Sequence, residues 1–122
     1  MVIFKNGLDQ YGALSAANSL AYYYGEQYEI TEEKKYIDEA IKLCENIEME
    51  YTRIRISNYA GFLDTYGSLL SKRMQKGDLK KAHELLKRAE GFAANQYIYG
   101  HLQELHEKAL EHGISLETNR ED

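Results

Sequence analysis

Apolar residues recur every three or four positions along most of the chain, which is the spacing of one face of an α-helix. Five stretches with this spacing can be separated, and they predict five amphipathic helices. The one alternating apolar stretch, Ile54-Arg55-Ile56, is too short for a strand and more simply links two helices or begins the third. The pattern therefore predicts an all-α fold. Its stripes are Leu8, Tyr11, Leu14, Ala17, Ala21, Tyr24 and Tyr28; Ile37, Ala40, Ile41, Cys44 and Ile47; Tyr59, Phe62, Leu63, Tyr66, Leu69, Leu70 and Met74; Leu79, Ala82, Leu85, Leu86, Ala89 and Phe92; and Ile98, Leu102, Leu105 and Ala109.

Residues at the breaks between the stripes predict where the helices begin. Thr31, Asp78 and Asn95 carry the short oxygen-bearing side chains that cap a helix N-terminus, so they are expected to start the second, fourth and fifth helices. The first helix is expected over 8–28, the third over 57–75, and the fourth is expected to end near Ala94.

Two glycines predict where helices end. Gly77 and Gly113 are expected to close the third and fifth helices, because glycine readily takes the left-handed conformation found there. Proline, which helix interiors tolerate badly, is absent from the sequence. We expect residues 1–116 to form a single domain and the polar residues 117–122 to form a frayed tail.

One segment resembles a known repeat. Lys76-Gly77-Asp78, followed by Leu79-Lys80-Lys81-Ala82 and then Leu86 and Ala89, is similar to the turn and second helix of a tetratricopeptide repeat (TPR). Upstream, Leu63-Asp64-Thr65-Tyr66-Gly67 resembles the first helix of the same repeat. The resemblance implies that small residues at Gly67, Ala82 and Ala89 let paired helices approach closely.

A second, weaker copy is carried by Leu20-Ala21-Tyr22-Tyr23-Tyr24 and Glu39-Ala40-Ile41. Ala21 and Ala40 precede their counterparts Gly67 and Ala82 by more than the usual ~34 residues, so the first pair is expected to have a longer turn around 26–35, with longer helices as an additional contribution. The last helix resembles a half repeat or cap. The resemblance thus implies antiparallel helix pairs stacked as a short right-handed TPR-like superhelix, with about two repeats and a C-terminal capping helix.

Charge and thiol content narrow the possible partners. With 15 Lys and Arg against 20 Asp and Glu, the formal net charge is −5, so the chain is expected to repel nucleic acid. The basic positions between Lys72 and Arg88 lack interleaved aromatic residues and are typical of a solvated helix face. No apolar run has the length of a membrane span. A single cysteine forms no intrachain disulfide, which favours a cytoplasmic location.

Candidate chemistry is sparse. His101, His106 and His112 lie on the last helix, but their spacings of five and six residues differ from the three or four of a chelating pair, so solvated histidines are expected. Cys44 lies on an apolar stripe and is expected to be buried and unreactive. No phosphate-binding loop or nucleophile motif is present. The sequence therefore predicts a protein that is not an enzyme, without cofactor or metal.

The TPR resemblance implies instead that a partner protein or peptide binds a concave groove lined by the first helix of each pair. The groove candidates carried over in this way are Asn18, Tyr22, Asp64, Ser68 and Ser71, with Lys72 as the nearest basic side chain. At least one of the three successive tyrosines beginning at Tyr22 is expected to face the groove or solvent. The expected function is a scaffold or adaptor. The alternatives are a structural module that self-associates, and a metal-dependent enzyme built on the histidines.

Overall fold

The computed structural model describes residues 7–54, 59–93 and 95–116, and every regular element within these ranges is an α-helix. The predicted all-α fold class is confirmed. The predictions about the segment 55–58 and the tail 117–122 lie outside the described residues. The helices are α1 (Gly7–Thr31), α2 (Lys34–Ile54), α3 (Tyr59–Arg73), α4 (Asp78–Phe92) and α5 (Gln96–Glu111).

Most of the predicted stripe residues whose side chains the structure describes form one buried core, and Ala17, Tyr24, Tyr28, Ile47 and Met74 are partly buried. The side chains of Leu8 and Tyr11 lie outside the described residues. Each of the five helices contributes to this core, since burying a continuous apolar face is what holds an amphipathic helix in a fold. One expected member is wrong: Phe92 at the end of α4 is 52% exposed, and its ring makes an edge-on contact with the Tyr59 ring. The largest fully buried side chains are Tyr66, Phe62, Leu14, Ile37, Ile41, Leu63, Leu69, Leu85, Leu86 and Leu105.

The helices pack as consecutive pairs. The most extensive contacts join α1 to α2 and α3 to α4, α2 packs on α3 between the pairs, and α5 packs mainly on α4. The helices α1 and α5 also each touch α3, so α3 lies at the centre of the molecule. This arrangement is the helix-pair packing of a repeat-like all-α fold.

Small residues occupy the close helix contacts, as predicted. Ala21, Ala40 and Ala82 have no exposed surface, and Gly67 is buried. A Cβ atom at Gly67 would lie 2.9 Å from Leu86 Cγ and 3.3 Å from the Ala82 carbonyl oxygen, so α3 and α4 meet at a distance that only glycine permits. Between α1 and α3, a Cβ at Gly25 would lie 2.6 Å from Leu69 Cδ2.

The connection inside the first pair differs from the prediction. Only Glu32 and Glu33 separate α1 from α2, so the expected long turn around 26–35 is wrong, and the extra residues of this pair lengthen its helices instead. The Thr31 cap is also wrong. Thr31 is the last residue of α1, where its Oγ1 donates to the Gln27 carbonyl and accepts from the Glu33 amide. Glu32 takes a positive φ of 59°, which reverses the chain in this short space.

The turn between α3 and α4 is closed by an ion pair. The prediction that Asp78 caps α4 is wrong. Asp78 is the first residue of the helix, and Gly77 holds the cap position with φ 85°. The Asp78 carboxylate instead accepts two hydrogen bonds from Arg73, at 2.7 and 3.0 Å, and a third from the Gln75 amide at 2.9 Å. Arg73 also lies 3.6 Å from Asp38 of α2. The Arg73 guanidinium therefore links α3 to both α2 and α4.

The boundaries of α5 are as predicted. The Asn95 side chain accepts a hydrogen bond from the Ile98 amide at 3.0 Å, and Gly113 follows the helix with φ 66°. The Ile114 amide then bonds back to the Ala109 carbonyl, which completes a glycine-dependent helix end.

Candidate ligand-binding groove

Polar side chains form one stripe on each of α1, α3 and α5, because they recur on each helix after one or two helical turns. The stripes contain Asn18, Tyr22 and Glu29 on α1; Asp64, Ser68, Ser71 and Lys72 on α3; and His101, Glu104 and Lys108 on α5. We call the surface formed by these three stripes the groove.

Polar contacts hold the three helices side by side. His101 bonds to Asp64, and Lys108 bonds to the Ser71 carbonyl; the partners in both contacts are 37 residues apart in sequence. Two contacts with one constant offset show that α3 and α5 run in the same direction. Lys72 of α3 pairs with Glu29 of α1 at 3.3 Å. The groove is therefore built on the first, third and fifth helices, as the pairing pattern requires.

A cavity of about 140 Å³ opens between these helices, and we call it the pocket. Its lining comes from one residue of α1, three of α3 and three of α5, with a single apolar wall supplied by α4. Water-sized and larger polar groups fit this volume. The lining residues are Glu29, Ser68, Ser71, Lys72, Leu86, His101, Glu104 and Lys108.

The His101–Asp64 contact is the shortest polar link between α3 and α5. His101 Nδ1 lies 2.6 Å from Asp64 Oδ1, and both side chains are partly buried. The hydrogen bond to Asp64 raises the pKa of His101, although burial and the Lys72 charge oppose this. The expectation that His101 is a solvated histidine is therefore wrong.

Two lysines reach the pocket from different helices. Lys72 is paired with the exposed carboxylate of Glu29, whereas Lys108 donates to the Ser71 carbonyl oxygen at 2.9 Å. Burial, and then the neighbouring charge of Lys72, lower the pKa of the Lys108 ammonium. The Glu104 and Glu29 carboxylates act in the opposite direction. The pocket thus combines the two lysine ammonium groups with the carboxylates of Glu29 and Glu104.

Two side-chain oxygens of the groove are buried without a hydrogen-bond partner. They are Ser68 Oγ, in the pocket, and Asn18 Oδ1, on α1. Buried polar atoms are nearly always paired in folded proteins, so unpaired ones mark positions where a polar group from outside is favourable.

The predicted groove residues fall into two groups. Ser68, Ser71 and Lys72 line the pocket, and Asp64 adjoins it through His101. Asn18 and Tyr22 do not line it. They lie on the same face of α1, more than one helical turn before Glu29.

The three successive tyrosines of α1 differ in exposure, as expected for neighbouring positions on a helix. Tyr22 and Tyr23 are 57% and 52% exposed, while Tyr24 packs partly buried against the core. The expectation that at least one of the three faces the groove or solvent is confirmed. The Tyr22 hydroxyl is hydrogen-bonded with Glu26, which raises the pKa of the phenol.

Five pocket residues were not predicted as groove residues: Glu29, Leu86, His101, Glu104 and Lys108. A signal for three of them is present on α5, where they recur after three and four residues on one helix face. Their juxtaposition with α3 depends on how the helices pack, which the stripe alone does not specify.

His106 and several of the basic positions have local partners. His106 contacts the His83 ring of α4, with ring centroids 5.2 Å apart. Among the described residues, no three His, Cys, Asp or Glu side chains are grouped so that they could hold a metal ion. In the basic segment between 72 and 88, Lys72, Arg73, Lys81 and Lys87 each lie within 4 Å of a carboxylate.

Comparison of the chain with protein-family models, with curated proteins and with solved structures finds no match. In the part of the chain that the structure describes, none of the helices combines the length and the apolar character needed to cross a bilayer.

Proposed function

We propose that this protein is a TPR-like adaptor, without enzymatic activity, that binds a segment of a partner protein or peptide in the groove formed by α1, α3 and α5. One observation carries the proposal: three different helices direct polar side chains into one surface depression that contains an unpaired buried hydroxyl. Concave surfaces with a few convergent polar groups are the usual places where proteins bind ligands. A cytoplasmic location belongs to the same proposal and rests on the solitary, buried Cys44.

The tyrosine and amide side chains of α1 support a peptide as the ligand. Tyr22 is exposed, rigid and amphipathic, and such side chains supply much of the binding energy at protein interfaces. The Asn18 amide can both donate to and accept from the backbone of an extended chain. The groove therefore offers an apolar contact and hydrogen bonds beside the charged pocket.

A peptide-display experiment tests this proposal. Twelve-residue random peptides are selected on the wild-type protein, and the dissociation constants of the selected peptides are measured by fluorescence anisotropy. The double variant Asn18→Ala, Tyr22→Ala is expected to bind them about ten-fold or more weakly, the usual loss when an interface tyrosine is removed.

A second double variant provides a matched control. Asn46 and Met49 are an amide and a large apolar residue, both exposed on α2 outside the groove. Asn46→Ala, Met49→Ala is expected to bind the peptides as the wild type does, and circular dichroism confirms that both variants remain helical. Failure to select peptides, or equal binding by the groove variant, contradicts the proposal.

Self-association is the second candidate function, and the exposed face of α1 favours it. Leu20, Tyr23 and Ile30 lie at helical spacing and are 42%, 52% and 75% exposed. No charged residue occurs between Gly12 and Gly25, so two copies of an acidic molecule can meet there without repulsion. Sedimentation analysis of the wild type and of Leu20→Ser, Tyr23→Ser separates the two functions: a dimer that the variant abolishes supports self-association.

A further inference from the structure

Lys108 differs from every other lysine in the described ranges. It is half-buried, its ammonium donates to the Ser71 carbonyl oxygen at 2.9 Å, and no carboxylate of the described residues lies within ion-pair distance of it. Lys72 is also half-buried but has the Glu29 carboxylate at 3.3 Å, and the remaining described lysines are exposed. Lys108 has therefore exchanged part of its hydration for a neutral acceptor, which disfavours the charged form of an amine.

Charges from three helices act on the Lys108 nitrogen. Lys72 of α3 repels its positive charge, while Glu29 of α1 and two carboxylates of α5, Glu104 and Glu111, attract it. Burial and the Lys72 charge outweigh the three carboxylates, so the pKa of the Lys108 ammonium is lowered. A larger fraction of this amine is therefore neutral near pH 7, and the neutral amine is the form that attacks a carbonyl carbon.

The cavity beside Lys108 contains an unused hydrogen-bonding position. Lys108 and Ser68 line the same space of about 140 Å³, with Leu86 as its apolar wall. The Ser68 oxygen is buried and has no hydrogen-bond partner. Because a hydroxyl both donates and accepts, Ser68 suits a hydroxyl group of a small molecule that enters the pocket.

We propose that Lys108 is a covalent modification site for short hydroxyaldehydes, which form an imine with its Nζ while a hydroxyl group of the aldehyde hydrogen-bonds to Ser68. The ammonium first releases a proton to solvent, and Nζ then bonds to the carbonyl carbon while a proton passes from nitrogen to the carbonyl oxygen. The C–O bond breaks next, the hydroxide takes a proton from solvent and leaves as water, and a protonated C=N bond remains. No oxidant or reductant is consumed. The inference goes beyond the proposed function, since it requires no bound segment.

The charges of the pocket favour an aldehyde over an acyl donor. A protonated imine has the same single positive charge as the ammonium that it replaces, so it keeps the attraction of Glu104 and Glu29. Acylation would form a neutral amide and remove the charge that these carboxylates stabilise. The mostly polar lining favours a short chain with hydroxyl groups over a long alkyl aldehyde.

Reductive trapping tests the assignment. Folded protein is incubated near pH 7.5 with glyceraldehyde and sodium cyanoborohydride, which reduces an imine to a stable secondary amine. Mass spectrometry after digestion at glutamate gives the labelling rate of each lysine. Lys108 is expected to react about five-fold or more faster than the exposed Lys80, because each unit by which a lysine pKa is lowered raises the neutral fraction about ten-fold.

Two comparisons separate the contributions to this preference. Propanal has the same three carbons as glyceraldehyde but no hydroxyl group, so its preference for Lys108 is expected to be smaller. Ser68→Ala is expected to slow the labelling of Lys108 by glyceraldehyde and to leave its labelling by propanal unchanged. Unfolding in urea is expected to abolish the preference for Lys108 with both aldehydes.

A pair of lysine variants tests the electrostatic part. Lys72→Gln removes the repelling charge and is expected to slow the labelling of Lys108 by about three-fold or more, because the pKa of its ammonium then rises. Lys76→Gln makes the same change of charge at an exposed position after α3 and is expected to label as the wild type does. Circular dichroism confirms that both variants remain helical.

Separate results would overturn the two parts of the inference. The modification site is wrong if folded protein labels Lys108 no faster than Lys80, if the preference survives in urea, or if Lys72→Gln and Lys76→Gln label Lys108 alike. The hydroxyaldehyde assignment is wrong if propanal shows an equal preference or if Ser68→Ala has no effect. All of these measurements are made without a peptide, so they are independent of the display experiment.

Discussion

The contact between α3 and α4 gives a sharp test of the packing, because α3 offers two helical glycines with opposite surroundings. At Gly67, an added Cβ would lie 2.9 and 3.2 Å from Leu86 side-chain atoms and 3.3 Å from the Ala82 carbonyl oxygen. At Gly61, nothing lies within 4 Å of an added Cβ. The substitutions Gly67→Ala and Gly61→Ala therefore add the same methyl group to the same helix, once into a packed core and once into open space.

The expected magnitudes follow from two opposing effects. Replacing glycine by alanine within a helix stabilises it by about 1 kcal/mol, because the unfolded chain loses conformational freedom. Overpacking a core by one methyl group costs about 1 to 3 kcal/mol. Gly61→Ala is therefore expected to raise the free energy of unfolding by about 0.5 to 1 kcal/mol, and Gly67→Ala to lower it by about 1 kcal/mol. The difference of about 2 kcal/mol reports the helix contact itself.

Urea denaturation followed by circular dichroism measures this difference. If the dependence of unfolding free energy on urea concentration is the same in both variants, the midpoints convert directly into stability differences. In thermal unfolding, the two variants are expected to differ by roughly 6 to 10 °C, on the scale of small domains. Gly67→Ala as stable as Gly61→Ala would refute the close approach of α3 and α4.

Three further predictions concern charged and titratable groups. Asp78→Ala is expected to lower the free energy of unfolding by about 3 kcal/mol, because it leaves the Arg73 guanidinium partly buried without its carboxylate. Asp38→Ala removes a more exposed and more distant partner of Arg73. It should lower the free energy of unfolding by under about 1 kcal/mol in the same denaturation assay. The pKa of His101 is raised in the folded state, so its ion pair stabilises the fold at low pH and this contribution is lost as the pH rises through the folded-state value. The stability difference between wild type and His101→Gln should accordingly be larger near pH 6 than near pH 9, and a difference independent of pH would contradict the contact with α3. Burial raises the pKa of the Cys44 thiol to about 12, so folded protein should not react with iodoacetamide near pH 8 while urea-unfolded protein should; mass spectrometry distinguishes the two.

Most of the fold could be predicted from the helical periodicity of the apolar residues. Most of the apolar stripe residues that predicted five helices form the buried core, and the small residues at Ala21, Ala40, Gly67 and Ala82 lie in it. Burial follows directly from the 3.6-residue period, so these positions can be read without knowing which helices are neighbours.

The errors have local physical causes. A threonine or aspartate beside a predicted helix start can cap that helix, but it can equally bond to the backbone of the preceding turn. Thr31 and Asp78 both do the latter, and Asp78 is drawn to Arg73 as well. The dipeptide Tyr-Gly also occurs in both α3 and α5, as Tyr66-Gly67 and Tyr99-Gly100, yet the first copy is buried and the second is exposed.

The pocket could be predicted only in part. Ser68, Ser71 and Lys72 were placed in the groove through the family resemblance, which gives the face of a helix but not its neighbour's residues. The contacts of His101 and Lys108 with α3 join residues 37 positions apart, and such pairings depend on the sliding of one helix along another. The periodicity of a single sequence does not indicate how far one helix is shifted along its neighbour.

Gly25 of α1 lies against Leu69 of α3, one helical turn before the contact between Glu29 and Lys72. A methyl group at Gly25 would lie 2.6 Å from Leu69 Cδ2, so the leucine side chain or α1 itself would have to shift. A single residue change outside the pocket lining can thus alter the spacing between α1 and α3. Under the proposed function, selection for new partners can act through this spacing as readily as through charge.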